Sequence, residues 1–244
     1  MLHCLITSEY YKQTAMSKTI NPNKKTINPN KEDNVIQLVE AHNKYTETQL
    51  ELMYAAEIVF GQKGINHTSH RDIINLTSQK NVSAISYHFG GIDGLVRALL
   101  EIRMEVVDFE RKKRFEKFIG NDDINNNILL DVYIDPLYEK CIDDIHWKNY
   151  IYFLQHLVTD YDRQFVGNLR QFSQVAFHVE KELKRINNIE DNHMWETRLA
   201  NNAAFLTASL AFRRRELDNN IKVPSKKRYL SYLKSSVLSI FLKG

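Results

Sequence analysis

Asn81, Ser83, Ser86 and Tyr87 crowd one short stretch of the chain, with Lys80 immediately before them. Amide, hydroxyl and phenol groups at this spacing hydrogen-bond phosphate oxygens and base edges alike, and a neighbouring lysine adds a cation for the phosphate backbone. Thr68, Ser69, His70 and Arg71 repeat the combination upstream. Such side chains need elements to hold them. Thr68 or Ser69 offers a hydroxyl cap to free backbone N–H groups, Asp72 falls in the first turn, and Ile73 and Leu76 are expected to face inward, which describes a short helix. The polar run Ser78 to Asn81 interrupts it, and a second helix is expected from about Ser83, with Val82 and Ile85 turned to the core. Two short helices joined by a tight polar turn are a means of placing a helix in the groove of duplex DNA. Between Gly61 and Gly91 the cations Lys63, Arg71 and Lys80 face a single acid, Asp72, so the surface is locally positive.

Other chemistries find little support. His67 and His70 are three apart but lack a third ligand at a clear spacing, so no metal site is expected. There is no H-E-x-x-H, no G-x-S-x-G, no Gly-rich phosphate loop and no Cys–His pair at a telling distance, and neither an enzyme nor a cofactor is expected. The runs Arg111-Lys112-Lys113-Arg114 and Arg213-Arg214-Arg215 read as solvated faces of amphipathic helices.

With 43% hydrophobic and 26% charged residues in 244, the chain can bury a proper core. Only 8 Gly and 4 Pro, together with long stretches of helical apolar spacing, predict an all-α fold. A net charge of +3 permits nucleic-acid binding without arguing for it, so the placement of charge is the better guide. Cys4 and Cys141 lie far apart with no paired spacing, as reduced thiols do. No apolar run approaches the roughly 20 residues of a membrane span, and the opening Met-Leu-His-Cys-Leu-Ile is too short an apolar core for a signal peptide, so the expectation is a cytoplasmic protein away from membranes.

Residues 1–45 read as a flexible extension, because the duplicated segments Thr19–Lys24 and Thr26–Lys31 are polar and broken by proline. Residues 46–92 carry the short-helix pair. Thr46 and Gln49 fit a capping box, and Leu52, Ala55, Ala56, Val59 and Phe60 line one face of the helix that follows. Residues 93–244 form a second region, with helices expected over about 93–118, 128–145 with a break at Pro136, 146–159, 161–187, 191–218 and 225–242. Trp147, Tyr150, Phe153, His156, Tyr161, Phe165, Phe172 and Phe177 are a dense aromatic supply, most of it expected in the core. Leu199 to Leu210 mixes large and small residues at helical spacing, and with Tyr229, Leu233, Val237 and Ile240 it suits either an internal core or an interface; the pattern does not choose.

Several motifs fall in a telling order: Ala55-Ala56 and Phe60-x-x-x-Gly64, then Thr68-Ser69-x-Arg71-x-Ile73, then Tyr87-His88-Phe89 with Gly90-Gly91, then the Leu-rich stretch Leu95 to Leu100. From about Gln49 to Leu100 the chain closely resembles the DNA-binding domain of the tetracycline-repressor (TetR) family of bacterial transcription regulators. It departs from the family's common pattern in a turn, Ser78 to Asn81, that is one residue longer, similar to a subgroup with Gly-Gln-Arg-Asn there. It departs again at Ile92, where a phosphate-touching lysine is usual, and Lys80 or Lys63 is expected to compensate.

The resemblance implies an N-terminal helix-turn-helix domain and a C-terminal helical domain for effector binding and dimerisation. It implies contacts to a palindromic double-stranded operator from Lys63, Thr68, Ser69, His70, Arg71, Lys80, Asn81, Ser83, Ser86, Tyr87 and His88. It also implies an unknown small-molecule effector near Trp147, Tyr150, Phe153, His156, Phe172 and His178. It tips the last two helices toward a homodimer interface through Trp195, Leu199, Ala203, Leu206, Leu210, Tyr229, Leu233, Val237 and Ile240. The function so implied is that of a repressor released by its effector. The alternative is a helical protein-interaction module with a degenerate DNA-binding head.

Overall fold

The computed structural model describes residues 44–118, 124–160, 172–190 and 193–243. Among them the structure is helical, with no strand. Most of the N-terminal extension, with its repeat, lies outside the described residues, as do Tyr161 and Phe165. The chain divides into two compact units, one of residues up to Val59 with His67–Val106, the other of Phe60–Asn66 with Val107 onward.

In the first unit, α1 (Glu47–Lys63) starts at the expected capping box: the Thr46 N–H donates to Gln49 Oε1 at 2.9 Å and the Gln49 N–H to Thr46 Oγ1 at 3.3 Å. Its expected apolar face, Leu52, Ala55, Ala56 and Val59, is buried, and so are Leu95, Leu99, Ile102 and Val106 on α4 (Ile92–Phe115). Between them lie α2 (His70–Ile74) and α3 (Ala84–Phe89). Helix α3 stops at Gly90, whose φ of 75° is the left-handed conformation glycine supplies without steric cost. A side chain at Gly94 would put its Cβ 1.8 Å from the Phe89 carbonyl oxygen, so only glycine lets α4 begin so close to the end of α3. Arg103 grips Glu57 with two N–H donors, at 2.7 and 3.1 Å, both side chains being almost fully buried. Burial pushes the Glu57 carboxyl up from its ordinary value, against the pull of Arg103.

In the second unit, α5 (Asn126–Tyr138) is capped by Asn125, whose side chain accepts from the N–H groups of Asn127 and Ile128. It runs through Pro136, where a break is expected from sequence, and then widens into a π-turn over Glu139–Asp143. Proline removes one N–H and crowds the preceding turn, and arginines from outside α5 donate to carbonyls of this stretch. Arg111 donates to the Tyr133 carbonyl at 3.2 and 3.0 Å, and Arg214 to the Ile142 carbonyl at 2.9 Å. The two basic runs are therefore not simply solvated faces: Arg111, Arg213 and Arg214 are buried, and Lys112 and Arg215 are exposed. Planar guanidinium groups can satisfy carbonyls inside a fold while their stems pack as hydrocarbon. Helix α6 (Lys148–Asp160) packs on α8 (His193–Asp218), which pairs with α9 (Lys226–Lys243), and α7 (Gln174–Ile186) lies on α5. No described helix is long and apolar enough to cross a membrane.

Candidate nucleic-acid interface

The helix pair α2 and α3 is braced at three points. Ser69 and Asp72 cap α2 reciprocally, Asp72 N–H to Ser69 Oγ at 3.2 Å and Ser69 N–H to Asp72 Oδ2 at 2.9 Å. Glu51 of α1 reaches the turn itself, accepting from the Ser78 N–H and, at 2.9 Å, from the Ser78 hydroxyl. Asn81 Oδ1 then accepts from the Ser83 N–H at 2.9 Å, which sets the entry into α3. These bonds fix the turn without using the outward face of α3.

That face is left to solvent. Ile85 is fully buried, whereas Ser83, Ser86 and Tyr87, together with Val82 just before the helix, are exposed, Tyr87 at 84%. Ser83, the N-cap of α3, lies one helical turn before Tyr87 and shares its row; Ser86 stands in the adjacent row, and Val82 lies in the turn just ahead of both. Tyr87 is steadied by the edge of the His88 ring, at 4.9 Å between centroids. Lys80, Asn81 and Arg71 are exposed beside the rows, and Thr68, His70 and His88 are half-buried. Ser69 spends its hydroxyl on Asp72, 2.7 Å away. Lys63 is exposed at the end of α1, in the part belonging to the second unit. Sequence reasoning puts Leu76 and Val82 in the core, whereas they are 41% and 42% exposed. Helix α2 ends at Ile74, so the periodicity that would turn Leu76 inward stops short of it, and Val82 precedes the first turn of α3.

The aromatic residues expected around an effector mostly pack on one another. Trp147 meets Tyr150 edge-on at 5.5 Å, Phe153 stacks on Phe60 at 5.7 Å, and all are buried. His156 Nδ1 lies 2.8 Å from Asp160 Oδ2 and its ring closes against Gly64; Phe172 is half-buried and His178 exposed. None of these six lines the groove of about 630 Å³ that opens on α8 and α9 among Gln155, Ala208, Phe212, Arg215, Pro224, Tyr229 and Tyr232. The nine residues expected at a dimer interface also divide. Trp195, Leu206, Leu210, Leu233 and Val237 are buried within their own chain, and Leu199, Ala203, Tyr229 and Ile240 are half-buried. The exposed large side chains beside that groove are Phe212 at 59% and Tyr232 at 61%, which sequence reasoning missed because α8 carries apolar residues on more than one face. Among the described residues no three His, Cys, Asp or Glu side chains are grouped to hold a metal. Comparison with known family models yields no match, and comparison with curated proteins yields none either.

Proposed function

We propose that this chain is a DNA-binding transcription regulator of the TetR type, which reads a palindromic operator as a homodimer and represses until a small-molecule effector releases it. The observation that carries this reading is the outward row of α3, where Ser83, Ser86 and Tyr87 stand in solvent on a helix whose bracing comes from other residues. A short helix held from behind with a polar outer face can enter a major groove, while Lys80 and Arg71 beside it serve phosphates. The motif order around Phe60, Arg71 and Tyr87-His88-Phe89 supports the same reading. An effector would act by favouring a conformation in which two such heads are wrongly spaced, since half-sites about one turn of DNA apart tolerate little error.

Selection of duplexes from a random pool, followed by binding at several salt concentrations, tests the proposal. Tyr87→Ala should cost about 1–3 kcal/mol on the selected duplex and relax specificity, whereas Lys80→Ala should weaken all duplexes and flatten the salt slope by about one unit. Equal affinity of wild type and Tyr87→Ala would remove α3 from the interface. The exposed Phe212 and Tyr232 favour a second reading, a helical interaction module without DNA binding. The absence of any salt-dependent duplex binding would select it.

A further inference from the structure

We propose that α3 reads thymine, through the C5-methyl group, as its principal base contact; the inference rests on the DNA-binding reading above. The chemistry of the outward rows is restricted. They and the turn before them offer the isopropyl group of Val82, the hydroxyls of Ser83 and Ser86 and the phenol of Tyr87. No guanidinium or ammonium stands in them, so they hold no side chain of the kind that bonds guanine O6 and N7 together. Asn81, the exposed amide beside the rows, already uses its Oδ1 on the Ser83 N–H at 2.9 Å, which hinders the two-point grip on adenine. Hydroxyls accept or donate and so discriminate weakly. The thymine methyl is the distinctive apolar feature of the major groove, and on this reading it packs against Val82, an apolar side chain 42% exposed immediately before α3. The Tyr87 ring, one turn beyond Ser83, adds a second apolar surface.

The test uses the full chain and a duplex selected from a random pool. Each thymine of the half-site is replaced in turn by deoxyuridine, which removes the methyl group and leaves the pairing edge unchanged. At least one replacement per half-site should weaken binding roughly fourfold, the worth of one buried methyl, and Val82→Ala should abolish most of that difference. Replacing guanines by 7-deazaguanine, which deletes N7, should have less effect than removing the critical methyl. A selected duplex indifferent to deoxyuridine but sensitive to 7-deazaguanine overturns the thymine assignment and leaves DNA binding standing, with Arg71 or Lys80 as the reader. If no duplex is enriched from the pool, the DNA-binding reading falls and this inference with it. Val82 is at the surface, so the alanine variant should keep its fold, and the modified duplexes supply a readout with no protein change at all.

Discussion

Glu57 and Arg103 meet in the dry interior of the first unit, and a change at either is governed by which charge it leaves behind. Arg103→Leu strands a buried carboxylate and should cost about 3–5 kcal/mol in urea unfolding, while Glu57→Leu combined with Arg103→Leu should recover most of that loss. The pair was invisible in the sequence because its members lie 46 positions apart on different helices. Tyr152 donates to Asp218 Oδ2 at 3.0 Å, and burial first, then this bond to a carboxylate, pushes the phenol from 10.0 up to about 12. The fold therefore favours the neutral phenol. Its contribution to stability is complete below about pH 10 and is lost as pH rises toward 12. Across that interval the melting temperature of Tyr152→Phe should fall less steeply than that of wild type, and parallel curves would mean that the phenol is not linked to unfolding.

Helix ends decide how well the elements are placed. Ser69→Ala removes the α2 cap and should destabilise the chain by about 1 kcal/mol, read as a lower denaturant midpoint at unchanged slope. Gly94→Ala forces α4 away from the Phe89 carbonyl, and a cost of about 1–3 kcal/mol with weaker duplex binding is expected. Much at this scale was legible in advance: the Thr46–Gln49 box, the hydroxyl and carboxylate at α2, and the buried faces of α1 and α4 all follow from local spacing. What was not legible depends on partners remote in sequence. Pro136 does not stop α5, and Arg111 and Arg214 reach nearby carbonyls from other helices, which no pattern of residues around either basic run reveals.

For the assembled protein, the burial of Leu206 and Leu233 changes how a dimer should be sought. A charge at either would break the protomer's own core and reduce the helical circular-dichroism signal. Phe212→Glu or Tyr232→Glu touches only exposed surface, and should dissociate the proposed dimer in sedimentation while leaving that signal intact. A wild-type monomer at micromolar concentration that still binds its duplex tightly would remove the dimer from the proposal. The burial of Leu206 and Leu210 was one of the two readings open to the small and large residues of α8, that of an internal core. The exposed face was not readable, because helical spacing alone cannot say which of several apolar stripes a neighbouring helix will cover.

The division of labour around α3 bears on how such a protein can diverge. Its position is set by Glu51, the Ser69–Asp72 cap, Asn81, Ile85 and Gly94, none of them in the outward rows. Exchanges at Val82, Ser83, Ser86 and Tyr87 should therefore leave stability within about 0.5 kcal/mol. If α3 reads DNA as proposed, a lineage carrying this scaffold can sample new target sequences by drift at four surface positions, with no compensating change in the interior and no unstable intermediate between one specificity and the next.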